Sequence, residues 1–141
     1  MQPSFLMIDG APTPVAPFSH AVRIGPWLLV TGQMPTDPND DSAPLAPDIE
    51  GQTRQVLHNL GLVLRGAGYQ FREIVFARIY LTHFDEDYAA MNAIWAETFP
   101  EGLRPGRTCI GVTALARGAR IEIDLTCYKA DMEAGLNQMR P

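Results

Sequence analysis

Two charged side chains stand in segments that otherwise read as buried strand: Arg107 and Glu122. The stretch 104–124, RPGRTCIGVTALARGARIEID, reads as two β-strands joined by a short loop. The first runs over about 107–113, with Ile110 and Val112 two apart. The second runs over about 119–128, with Ile121, Ile123, Leu125 and Cys127 sharing one face. A period of two sets Arg107, Cys109 and Gly111 together on one side of the first strand. It sets Arg120, Glu122, Asp124 and Thr126 together on the other face of the second. A guanidinium and a carboxylate on such a strand pair can converge on one polar pocket. The alternative is an ordinary structural ion pair or a solvated face. Arg104, Arg107, Arg117 and Arg120 are close in sequence, and arginine is suited to gripping a single carboxylate. The cluster therefore fits a small acid better than a polyanion.

Composition narrows the choice of chemistry. The chain has 141 residues, a net charge of −5, 46% hydrophobic and 19% charged residues. That describes one domain over 1–141, long enough for a real core. An acidic balance gives no reason to expect nucleic acid, whose phosphates call for basic surface. Cys109 and Cys127 match neither a CxxC pair nor a ligand spacing, and read as buried reduced thiols. His20, His58 and His83 are scattered without an HxH or HxxxH pattern, so no metal is expected. The run Asp37, Asn39, Asp40, Asp41 lacks the glycine and terminal glutamate of a calcium loop. MQPSFLMIDG shows no basic segment followed by an apolar run, and no apolar stretch approaches the roughly 20 residues that span a bilayer. The expectation is a cytoplasmic protein without membrane association.

Several elements must position these residues. Pro3, Pro12, Pro14 and Pro17 make the N-terminal segment extended. Residues 18–24 and 27–31 read as a hairpin turned at Gly25-Pro26. Gly32 ends the second of these strands, where backbone can approach a ligand without a Cβ in the way; a bulge or plain strand end is the alternative. Residues 34–47 form a long loop rich in Pro, Asp and Asn. From Asp48, a plausible N-cap, Ile49, Thr53, Val56, Leu57, Leu60, Val63, Leu64 and Ala67 follow helical spacing, with Gly66 or Gly68 as the stop. Residues 71–83 read as a third strand in the sheet interior. A second helix starts at Asp85 or Asp87 and carries Tyr88, Met91, Trp95 and Phe99 in one stripe, a core pattern. Residues 130–141 read as a flexible tail. The order β-β-α-β-α-β-β predicts an α+β fold, one mixed sheet with two helices packed on one face. The other face must then be covered by something else, most economically by further copies of the chain.

Five landmarks in order resemble the Rid or YjgF family of reactive-intermediate deaminases. They are APFSHAV at 16–22, VTGQMP at 30–35, QTRQVLHNL at 52–60, Asn92 in the second helix, and GRTCIGVTAL followed by IEID. The similarity covers about 11–129. It implies a chorismate-mutase-like fold, a homotrimer with ligand sites between subunits, and no cofactor or metal. The activity implied is hydrolysis of 2-imino acids or their enamine tautomers, 2-aminoacrylate-like or 2-aminomuconate-like, to 2-keto acids and ammonia. By position, Arg107 matches the residue that grips the substrate carboxylate, and Glu122 the acidic residue that helps activate water. Cys109 matches a residue whose main chain lines the site, and Gly32 belongs to the same binding set. Phe18 stands where Tyr is common and Thr31 where Ser is common, departures that bear on substrate identity more than on reaction type. A non-catalytic trimeric binder of small carboxylic or keto acids is the alternative function.

Overall fold

The computed structural model describes residues 2–130. Six strands form one sheet: β1 (Ser4–Leu6), β2 (Ala21–Ile24), β3 (Trp27–Gln33), β4 (Ile74–Leu81), β5 (Gly106–Gly111) and β6 (Ile121–Tyr128). Their order across the sheet is β1-β2-β3-β6-β4-β5. β4 and β5 run parallel and every other neighbouring pair is antiparallel, so the sheet is mixed. Helices α1 (Ile49–Ala67) and α2 (Phe84–Thr98) cover one face. The inward residues Leu28, Val30, Ala77, Ile79, Ile121, Ile123 and Leu125 form one core with Val56, Leu60 and Val63 of α1 and Met91, Ile94 and Trp95 of α2. Burial of this apolar surface is the main drive for the arrangement. The expected α+β class with two helices on one face is present.

The strand pair expected at 107–128 is not a pair. β4 lies between β5 and β6 and bonds to both. Two strands close in sequence promote a hairpin reading, but the connection at 112–120 carries a 3-10 turn at 116–118 and passes over a central strand. An additional short strand, β1, pairs with β2 where only an extended segment was expected. β3 continues through Gly32 to Gln33 rather than ending at the glycine. The third strand is shorter than 71–83, because residues 71–73 form a 3-10 turn before β4.

Helix α1 is as expected. Asp48 caps it by accepting from the Gly51 N–H at 2.6 Å. Gly68, left-handed at φ 86, ends it by donating to Arg65 O, while Tyr69 N–H reaches Leu64 O at 2.8 Å. Helix α2 begins at Phe84 behind His83, whose side chain makes no capping bond. Asp87 does not start the helix; it is buried and takes the Arg120 guanidinium in two bonds of 2.8 Å. The long loop is tied at both ends. Asn59 donates to Met34 O and Thr36 O at 2.9 and 2.8 Å, and Gln52 to Ala46 O at 2.8 Å. The tail expected at 130–141 lies outside the described residues apart from Ala130. No helix among the described residues is long and apolar enough to cross a membrane.

Candidate functional site

Glu122 owes its setting to a break in the sheet. The β3–β6 register slips between Val30 and Gln33, at Thr31 and Gly32. Thr31 is anchored there: its N–H donates to His20 O at 3.1 Å and its hydroxyl to Ser19 O at 2.7 Å. Gly32 lets the Glu122 carboxyl group lie against the strand, since a Cβ at position 32 would fall 2.8 Å from Glu122 Cδ. Burial, and secondly the negative charge of Asp124, pushes the Glu122 carboxyl above the ordinary carboxylate range. Asp124 is itself held by Arg78 Nε and the Tyr80 hydroxyl, each at 2.8 Å.

Phe18, Thr31, Gly32, Ala116 and Glu122 line a depression of about 130 Å3, walled on one side by residues 12–15. His20 holds that wall. Its Nδ1 accepts from Ile8 N–H at 2.8 Å, so Nε2 carries the proton and donates to Pro12 O at 2.7 Å. With both ring nitrogens used, His20 serves the wall and not the chemistry.

Arg107 lies elsewhere. It sits opposite buried Ala77 in the β4–β5 register and so faces the helices, whereas Glu122 sits opposite Tyr80 on the open face. Its guanidinium rests 5.5 Å from the Trp95 ring centroid and 5.9 Å from that of Tyr88, with the Tyr88 hydroxyl at 3.4 Å. Arg107, Arg104, Trp95 and Asn92 line a second depression of about 300 Å3. No carboxylate pairs with Arg107 among the described residues. Asn92 Oδ1 is buried there with no hydrogen-bond partner. Half-buried Cys109 follows on the same face, and burial pushes its thiol up despite the nearby Arg107. Burial pushes Cys127 up to about 12. Neither thiol is poised as a nucleophile.

Within one chain, then, Phe18, Thr31, Gly32 and Glu122 come together, and Arg107 and Cys109 do not join them. The convergence expected from a strand pair fails because the two residues face opposite sides of the sheet. The arginine cluster also divides. Arg120 is committed to Asp87 and Glu86, and Arg104 donates to Phe99 O at 3.0 Å. Tyr80 and Arg78, which hold the carboxylate next to Glu122 on its face, are not among the site residues expected from the sequence. Their only signal is the period-two alternation of β4.

Residues 8–129 match the family described as Endoribonuclease L-PSP. The chain belongs to that family. Among L-PSP relatives, the 3-aminoacrylate deaminase RutC of Acinetobacter baylyi is 35% identical over 123 residues, spanning 87% of this chain and 95% of its own. A RutC family protein of Pyrococcus horikoshii is 36% identical over 124 residues, spanning 88% and 96%. The conserved Rid-family protein YyfA of Yersinia pestis superposes with a TM-score of 0.84 at 33% identity, covering 91% of this chain and all of the other (100%). The L-PSP family is thus the one that the landmarks resemble under the names Rid and YjgF, and it includes a named deaminase.

Proposed function

We propose that this chain is a hydrolytic deaminase of 2-imino acids and their enamine tautomers, working as a homotrimer in the cytoplasm. The observation that carries the reading is the half-buried Glu122 carboxyl group, pressed against Gly32 with its proton affinity raised. In this reading one copy supplies Glu122, Gly32, Thr31 and Phe18. A neighbouring copy supplies Arg107, the main chain at Cys109, and Asn92, whose orphaned Oδ1 would gain a donor. Arg107 grips the substrate carboxylate by paired charge-assisted bonds. That sets the imine carbon beside a water held by Glu122.

The water oxygen bonds to the imine carbon as the C=N π pair moves to nitrogen. Glu122 takes the proton from the water and returns it to nitrogen. Glu122 then carries the carbinolamine hydroxyl proton to the amino nitrogen, and the O–H electron pair becomes the C=O π bond as the C–N bond breaks, leaving 2-keto acid and ammonia. An imine is already electrophilic, so one acid/base group suffices and no thiol nucleophile is needed. The name 3-aminoacrylate deaminase, borne by a relative, supports the reaction class. The family description names a ribonuclease; the net charge of −5 and the structural use of His20 favour a small acid over RNA.

The test is ammonia release from freshly generated imines, with an amino-acid oxidase as the source and semicarbazide as the trap. 2-Aminomuconate runs in parallel. Wild type accelerates release. Glu122→Gln lowers the rate about 10²–10⁴-fold, the range for a lost acid/base group. Arg107→Ala lowers it about 100-fold through lost charged hydrogen bonds. Saturable keto-acid binding without ammonia above the buffer rate would make the protein a carboxylate binder instead.

A further inference from the structure

A turn beside the Glu122 depression presents a second cation. Residues 116–118 form the 3-10 turn after β5, and Arg117 within it sits at φ 62, ψ 17. It is the one non-glycine residue with positive φ among the described residues. That conformation is unfavourable for any residue with a Cβ. No ion pair of Arg117 is present among the described residues to offset it. Strain kept without a structural partner directs attention to what the side chain does.

Arg117 lines an outer depression of about 250 Å3 with Thr13, Pro14, Val15, Thr36 and Asp41. Thr13, Pro14, Val15 and Thr36 also wall the inner depression of Glu122, and Ala116 lines that inner space directly. The turn therefore straddles two adjoining spaces. The inner one is the smaller, at about 130 Å3 against about 250 Å3, so under the deaminase reading a substrate longer than its reacting head group would extend outward. Asp41 shares the outer rim and opposes an anion there, but it forms no ion pair with Arg117.

We propose that Arg117 binds a second carboxylate at the far end of the substrate. Resting on the deaminase reading above, this narrows the substrate class to imines and enamines of 2-amino dicarboxylic acids. A guanidinium offers the two parallel donors that a terminal carboxylate takes. Arg107 holds the head and Arg117 the tail, so the acid is read at both ends.

The experiment is calorimetric binding of 2-oxoglutarate and 2-oxopentanoate to the intact protein. The two share a chain length and differ in the terminal carboxylate. The expected result is five- to tenfold tighter binding of 2-oxoglutarate at low salt, a gap of about 1 kcal/mol that shrinks as salt is added. Arg117→Gln removes the difference and leaves 2-oxopentanoate within about twofold of wild type, as expected of a group that touches only the tail. Asp41→Asn widens it. Equal affinities in wild type, no binding of either acid, or equal loss of both on Arg117→Gln would overturn the assignment. Because the readout is binding, it separates from the ammonia assay. Ammonia release without a dicarboxylate preference sinks the Arg117 site alone. A preference without ammonia release sinks the deaminase reading alone.

Discussion

Glu122 carries a pH signature that can be read without substrate. Its carboxyl is pushed above the ordinary range by burial and by Asp124. In the window between the ordinary and the raised value, the folded chain holds a proton that the unfolded chain has released. Folding then takes up protons, so this group's contribution to stability falls as pH rises through the window. Glu122→Gln removes that penalty. The variant should melt higher than wild type at neutral pH, and the gap should close as pH drops into the ordinary carboxylate range. Thermal melts across pH measure this. A constant gap would mean that Glu122 ionises normally. The residue itself was legible in the sequence, as a charge on a strand whose alternate positions are all apolar. Its partners were less so, because Arg78 and Tyr80 reach Asp124 from a strand more than 40 residues away, with separations of 46 and 44.

At the scale of elements, the β3 irregularity is what makes a site of that residue. Gly32→Ala puts a methyl group where Glu122 Cδ lies 2.8 Å away, so the carboxyl group must move or the strands must part. The expected cost is about 1–3 kcal/mol of stability by overpacking. Deaminase activity should fall by at least the roughly 100-fold that a 1 Å displacement of a reacting group can cause. Denaturant melts and the ammonia assay check both, and wild-type activity in the variant would remove Gly32 from the argument. Helix α1 could be read directly, because capping and spacing are local: Asp48 opens it and Gly68 closes it. That β4 is an interior strand was legible in its apolar residues, but that it parts β5 from β6 was not. Chain proximity favours a hairpin there, whereas β4 bonds to both strands and holds them apart. The start of α2 was misplaced for a related reason. Asp87 resembles a cap in sequence, but Arg120, 33 residues on, claims it.

For the whole molecule, the telling surface is the face of the sheet away from the helices. It exposes Phe5, Ile24, Trp27, Leu29, Phe76 and Ile110, between 41% and 68% accessible. Surfaces of this kind mark contacts with other chains, which was the expectation from helices on one side only. Arg107 and Glu122 face opposite sides of the sheet, so under the proposed trimer each site borrows from two copies. Two dead enzymes can then make a live one. Arg107→Ala chains keep Glu122, and Glu122→Gln chains keep Arg107. Equal, randomly assembled mixtures of the two should have about a quarter of their boundaries intact, and should recover about that fraction of wild-type turnover. Either variant alone stays at about 1% of wild type or below. Activity that never returns on mixing would place both residues' work within a single chain.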